Sequence, residues 1–392
     1  MLTTLARRLS GLPSLFFALL ALALALPVLA VLGSWLQWSG PSADILLEMG
    51  RTVLPDYALT TLGLCLLVAV GVTVLGLATA ALVTLFDFPG RGAFEWLLLL
   101  PLAMPAYVVA YAYTDFLQFS GPLQVALREA LGLQGRLWPD VRSVWGAALV
   151  FTLSLYPYVY LLARTALVER ASGLMEAARL LGAPLSRRIR EIALPLARPA
   201  VAAGVALALM ETLADFGVSS YFGIQTFTAG IYKAWLSMDN RIAAAQLATV
   251  LLAVVVVLLQ LEQRAQKRMR FNQGRGSRQG SAEAQPVALQ GASRVMAWAV
   301  CSLPVMLGFV LPVLIMLRAM AGETTELPWD RFAQWALTSL RLGAVTALLA
   351  VGVALALAFS VRTRADRISQ GAIQLVGLGQ FRAIAHCLQN LE

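Results

Sequence analysis

The chain has 392 residues, of which 59% are hydrophobic and only 13% charged, with a formal net charge of +9 and a mean hydropathy of +0.75. Charged residues make up about a quarter of an ordinary soluble domain, so this composition excludes a water-soluble enzyme and indicates a polytopic membrane protein. Three cysteines far apart in sequence and a single histidine, His386, exclude a disulfide framework and a haem or zinc site built from several imidazoles.

Apolar runs long enough to cross about 30 Å of hydrocarbon as helices follow in chain order at 13–33, 59–86, 94–117, 144–162, 199–218, 242–261, 296–316 and 336–359. An all-α transmembrane bundle of eight spans is expected from them. A strand barrel would instead show alternating segments of about ten residues. The first run follows Arg7 and Arg8. It is longer than the roughly 7–15-residue apolar core of a signal peptide, which makes it a retained helix. Basic residues gather on one side, at Arg7, Arg8, Arg91, the loop 164–198, the stretch 264–294 and Arg362, Arg364 and Arg367. The positive-inside bias then puts the N-terminus in the cytoplasm. Net positive charge is thus a matter of topology and of attraction to anionic lipid. No basic stripe interleaved with aromatics marks a nucleic-acid surface. Pro101 and Pro105 bracket 102–104 in the third run, and Pro157 interrupts the fourth. They are either flexing points or ordinary prolines of membrane helices.

Between the fourth and fifth runs lies EAARLLGAPLSRRIREIALP, residues 176–195. It reads as a short helix, a glycine break, a basic amphipathic stretch and a proline that opens the next membrane helix. None of this serves to cross a bilayer. Ala177 and Ala178 let another surface approach, and Leu180 and Leu181 form an apolar knob. Gly182 permits a turn, and Glu176 can meet a cation on a partner. Glu176-Ala177-Ala178, three residues, Gly182, nine residues, Ile192, one residue and Leu194-Pro195 is a spacing that resembles the EAA loop of ABC-importer permeases. That resemblance implies that Leu181 and its neighbours dock on an ATP-binding subunit.

ALTTL at 58–62 recurs as ALTSL at 336–340, each ahead of a Gly/Ala/Val/Leu-rich run and each preceded by an apolar helix. An internal duplication is expected, its halves separated by a Gln/Gly/Ser/Arg-rich linker. Residues 1–262 form the first half, 263–293 a cytoplasmic linker, 294–373 an incomplete second half without an EAA motif, and 374–392 an atypical tail. The tail implies either a naturally short chain or, as the expectation favoured here, a reading frame interrupted near Gly377.

The segments LPLAMPAYVVAYAYTDFLQFSGPLQ (100–124), WGAALVFTLSLYPYVYLLAR (145–164) and ETLADFGVSSYFGIQTFTAGIYKAW (211–235) resemble the ferric-iron ABC-importer permeases, which fuse two permease halves in one chain. The resemblance extends to about residue 359. It implies a type I (MetI-like) permease fold and ferric-iron uptake across the bacterial inner membrane by alternating access. It further implies delivery by a periplasmic binding protein and ATP and Mg on a separate ATP-binding subunit. With one EAA loop the chain grips one such subunit, so pairing either with a second permease copy or with another permease is expected. An importer of thiamine, sulfate or polyamine with the same architecture, or a non-transporting remnant, are the alternatives.

A hard trivalent cation prefers oxygen donors. Tyr111, Tyr113 and Asp115 stand at the end of the third run, and Glu211 and Asp215 near the end of the fifth. The last two are four apart and are expected on one helix face. Either these residues line a substrate path, or they cap and cross-link helices near the interface, where tyrosines are enriched. No metal site is assigned from them. The chain has no GxxxxGK[ST] loop, its only lysines being Lys233 and Lys267, and no GxSxG or HExxH motif. It therefore neither hydrolyses ATP by that route nor reads as an enzyme, and no cofactor of its own is expected.

Overall fold

Six helices among the described residues are long and apolar enough to cross a bilayer, or seven if one bent pair is counted as a span. The structure, a computed structural model, describes residues 26–37, 40–270, 286–322 and 328–363. The start of the first expected span with Arg7 and Arg8, about half of the linker, and the whole tail, with Arg364, Arg367, His386 and Cys387, lie outside the described residues. By contacts the chain forms two units, residues 39–322 and residues 1–38 with 323–392. Helix α1 (Leu26–Gln37), in the second of these, is short and apolar.

In the 39–322 unit, α2 (Pro41–Thr52) leads into α3 (Leu54–Leu85). At 1.5 Å per residue, α3 is about 48 Å long, more than a bilayer needs. A two-residue strand β1 (Phe86–Asp87) and α4 (Arg91–Leu97) follow. The third expected span is not one helix. A 3-10 turn at Leu100–Ala103 separates α4 from α5 (Ala106–Leu117), and α6 (Pro122–Leu131) continues it. The two arms meet at 86°. Pro105 has no N–H to continue the turn and forces Met104 into extended backbone (ψ 121°), so the prolines break the helix outright.

Helix α7 (Val144–Ala166) is the most buried of the spans. Its Tyr156 and Tyr160 hydroxyls donate to the carbonyls of Leu98 (2.8 Å) and Glu95 (3.1 Å). These carbonyls lie at the C-terminal end of α4, where helical partners run out, so buried phenols fill a need that the helix end creates. Arg164 adds an ion pair to Glu95 at 2.7 Å. Pro157 lies inside α7 and the helix runs through it.

After a π turn at Leu167–Ala171 come α8 (Ser172–Leu180), α9 (Leu185–Arg188) and α10 (Leu194–Ala214). Pro195 stands in the first turn of α10 as expected, but a π turn at Ile189–Ala193 joins α10 to a helix already running from Leu185, so the apolar span does not begin there. Nor does it reach Val218, because it stops at Ala214 where Asp215 turns extended (ψ 127°). Short helices α11 (Gly217–Phe222) and α12 (Phe227–Tyr232) lead to α13 (Arg241–Arg270). The chain is next described at strand β2 (Val287–Ala288), which pairs in parallel with β1.

Helices α14 (Ala292–Val305) and α15 (Leu311–Gly322), joined by a π turn at Met306–Val310, pack inside this same unit. The Trp298 indole donates to the Pro89 carbonyl at 3.1 Å and meets the Phe94 ring edge-on at 5.1 Å. Here too the π turn precedes a Leu-Pro pair. The Leu311 N–H reaches back to the Met306 carbonyl, so the next carbonyl, Leu307, faces Pro312, which has no N–H to give. Tyr113 donates its hydroxyl to that carbonyl at 2.5 Å. Tyr113→Phe should leave a carbonyl unsatisfied in apolar surroundings and cost about 1–3 kcal/mol. A lowered unfolding midpoint in a denaturing-detergent titration would register the loss, and an unchanged midpoint would contradict it.

In the other unit, α16 (Trp329–Thr363) is 35 residues long, and none of its most apolar stretch is buried.

Candidate functional site

Two places gather the residues singled out from sequence. The first is the loop around α8. Helix α8 ends in a left-handed cap: Gly182 has φ +79°, its N–H bonds the Arg179 carbonyl at 2.9 Å, and Ala183 N–H bonds the Ala178 carbonyl at 3.0 Å. This is the Schellman arrangement, for which glycine is the least strained residue. The cap fixes the chain so that Leu180 and Leu181 stand 82% and 88% exposed. A side chain added at Gly182 would meet nothing within 4 Å.

Behind this knob the loop is anchored. Met175 is buried, the Arg188 guanidinium reaches its carbonyl at 3.4 Å, and Leu185, Ile189 and Ile192 pack on the core. Leu194 and Pro195 are half-buried at the root of α10, Ala178 is half-buried and Ala177 exposed. Glu176 pairs with Arg179 of its own helix at 3.6 Å, and Arg187 pairs with Glu191 at 2.9 Å. Both pairs are solvent-facing and worth about 0.3–0.5 kcal/mol each. The outward face is therefore small and apolar, and the inward face holds it in place. Exposed apolar patches of this kind are used for protein docking.

The second place is a cavity of about 280 Å³ where the break at Met104–Ala106 faces α7 and the end of α10. Glu211 and Asp215 both line it. The expected i,i+4 face is not the reason, since α10 ends before Asp215. Instead the extended turn at Asp215 carries its carboxylate there, and Oδ2 accepts the Val218 N–H at 2.8 Å. The other lining comes from a face of α7 read at Phe151, Ser154, Leu155 and Tyr158. Ser154 and Tyr158 escaped the sequence reading, although the i, i+3, i+4, i+7 spacing that aligns them was there to be seen.

The remaining sequence candidates go elsewhere. Tyr111 lines a neighbouring cavity of about 540 Å³ with Tyr107 and Tyr221, its ring 5.9 Å from that of Tyr221. Tyr113 is committed to the Leu307 carbonyl, and exposed Asp115 lines neither cavity. No cluster of three or more His, Cys, Asp or Glu suited to a metal ion occurs among the described residues.

Residues 72–271, which include the loop and the cavity-lining carboxylates, match the family of binding-protein-dependent transport system inner membrane components. The chain belongs to this family. It is a multi-pass membrane permease component of a transport system, not an enzyme. Similar proteins include an Fe(3+)-transport system permease of Haemophilus influenzae, 27% identical over 199 residues that make up 51% of this chain and 35% of that protein. A sulfate transport system permease of Salmonella typhimurium is 27% identical over 63% of this chain and 87% of its own length. A putative molybdenum transport system permease of Bacillus subtilis is 26% identical over 49% and 86%. The match thus spans about a third of the iron permease but most of the other two. The cargoes named for these permeases differ.

Proposed function

We propose that this permease is the translocation subunit of an ATP-driven importer and that its cargo is ferric iron. The observation that carries the coupling role is the pair Leu180 and Leu181, 82% and 88% exposed on a rigidly capped helix end. In this reading the face formed by Glu176, Ala177, Leu181 and Gly182 docks on a separate ATP-binding subunit, which holds ATP and Mg, while Ile192, Leu194 and Pro195 pass its motion into α10. The permease itself binds no cofactor. A periplasmic binding protein delivers cargo to the far side, and a second permease copy completes the pathway. The protein lies in the bacterial inner membrane with its N-terminus in the cytoplasm, its basic residues held at the lipid surface on that side.

The working mechanism is alternating access. ATP closes the two ATP-binding subunits, and the loop moves with them and rocks the bundle. Such a shift needs the loop to fit the closed and open partners with different affinity. The iron relative supports the cargo. The longer coverage of the sulfate permease supports a second reading, an importer of the same architecture for another small cargo such as sulfate. Two measurements decide these points. Leu181→Cys should cross-link to the ATP-binding subunit in membranes, with a yield that changes on adding ATP. No cross-link there, with a link formed from a cysteine elsewhere on the surface, would overturn the docking role. Proteoliposomes holding the permease and its ATP-binding subunit, supplied with the periplasmic binding protein, should take up labelled ferric iron and not sulfate, and the reverse result would overturn the cargo.

A further inference from the structure

We infer that the cavity between the Met104–Ala106 break, α7 and the end of α10 is a transit station for a hard, oxygen-liganded cation, held by Glu211 and Asp215 with Ser154. The inference rests on the reading of this chain as a translocation subunit. Its lining holds two carboxylates, a phenol and a hydroxyl, and no Lys, Arg or His. Glu211 makes no hydrogen bond or ion pair among the described residues, and Asp215 meets no cation, only the backbone N–H groups of Val218 and Ser219. Uncompensated acid charge inside a helical bundle is costly and faces a counter-charge or a pathway when it is kept. An oxyanion would be repelled by this lining, whereas a cation would relieve it.

Ser154 supplies an independent sign. It is only 3% exposed, yet its Oγ has no hydrogen-bond partner. Hydroxyls in nearby helices do otherwise: Thr114 and Thr212 donate to the carbonyls four residues back at 2.9 and 2.8 Å. A buried hydroxyl that leaves its own helix unbonded and lines an acidic cavity is an oxygen donor in waiting. Oxygen-only donors select hard cations over soft ones. The volume of about 280 Å³ equals roughly nine waters at ~30 Å³ each. With two carboxylates and no third acid or imidazole, an ion there keeps part of its water. That suits a station that must release what it binds.

The test uses the purified 392-residue chain in detergent titrated with terbium(III), a hard trivalent ion whose luminescence is excited through a nearby tyrosine, here Tyr158. Saturable sensitised emission is expected. Glu211→Gln and Asp215→Asn should each weaken binding about tenfold, and Ser154→Ala severalfold. Tyr158→Phe should dim the emission without changing the midpoint. All four variants are near-isosteric, and monodisperse elution confirms that each one folds. Emission that does not saturate, or that Glu211→Gln and Asp215→Asn leave unchanged, overturns the inference. ATP-driven uptake, measured in parallel, separates the two readings. If the carboxylate variants keep wild-type uptake, the cavity is off the path while the permease reading stands. Terbium binding at this site in a protein that transports nothing with its ATP-binding subunit would leave the cavity as a cation site and remove the permease reading.

Discussion

Replacing Gly182 with aspartate is expected to cut ATP-driven uptake by more than about 100-fold, some 2.8 kcal/mol of lost coupling, while the protein still inserts and folds. The backbone at this position is left-handed, with φ +79°, and aspartate is among the few side chains that visit this region, at a cost of about 1 kcal/mol. Nothing in the chain lies within 4 Å of the added Cβ. The substitution therefore disturbs little inside the molecule and puts a charge beside Leu181, on the face assigned to the partner. Glu176→Lys makes the same point from the middle of α8. It removes only the exposed pair with Arg179, yet should abolish uptake as well. Uptake in proteoliposomes, alongside elution of the purified variant, checks both. Uptake within about threefold of wild type for the two variants would remove the docking role.

Gly204→Leu is expected to destroy the bundle itself. A Cβ at Gly204 would sit 2.6 Å from Val159 Cα and 3.0 Å from the Tyr158 carbonyl, so the obstacle is backbone and cannot rotate away. Helix α7 cannot retreat either, because a Cβ at Gly76 of α3 would lie 2.6 Å from Val159 Cβ. Close approach of backbones through small residues is how membrane helices gain packing energy without a hydrophobic drive. Overpacking such a contact costs about 1–3 kcal/mol even for modest insertions, and here no neighbour can yield. The variant should be degraded or aggregate on extraction. Gly204→Ala should fold with a lowered unfolding midpoint, and a normal yield of monodisperse Gly204→Leu would refute the packing account.

Sequence made the class, most of the helices and the helix-glycine-helix form of the loop at 176–195 legible, because hydrophobic runs and a spaced motif are local signals. The break at Met104 was half legible. Pro101 and Pro105 marked the place, but composition does not distinguish a kink from a bend of 86°. Glu211 and Asp215 do line one cavity, but a turn at Asp215 and not a shared helix face puts them there. Ser154 and Tyr158 were hidden because a hydroxyl in a span commonly bonds its own backbone, and only the three-dimensional lining shows that Ser154 does not. The role of Tyr113 depends on a π turn and Pro312 almost two hundred residues away, which no local window contains.

That separation bears on how the molecule is made. The Trp298–Pro89 and Tyr113–Leu307 bonds join residues 209 and 194 positions apart, so the bundle bearing α3, α5 and α7 stays open until α14 and α15 have been synthesised. At about 5–20 residues per second, ribosomes need on the order of ten to forty seconds to cover that stretch. The loop that carries Leu180 and Leu181 leaves the ribosome well before then. It is in place and exposed on a bundle whose groove is still unfilled, so a partner that grips it early would be holding an unfinished machine.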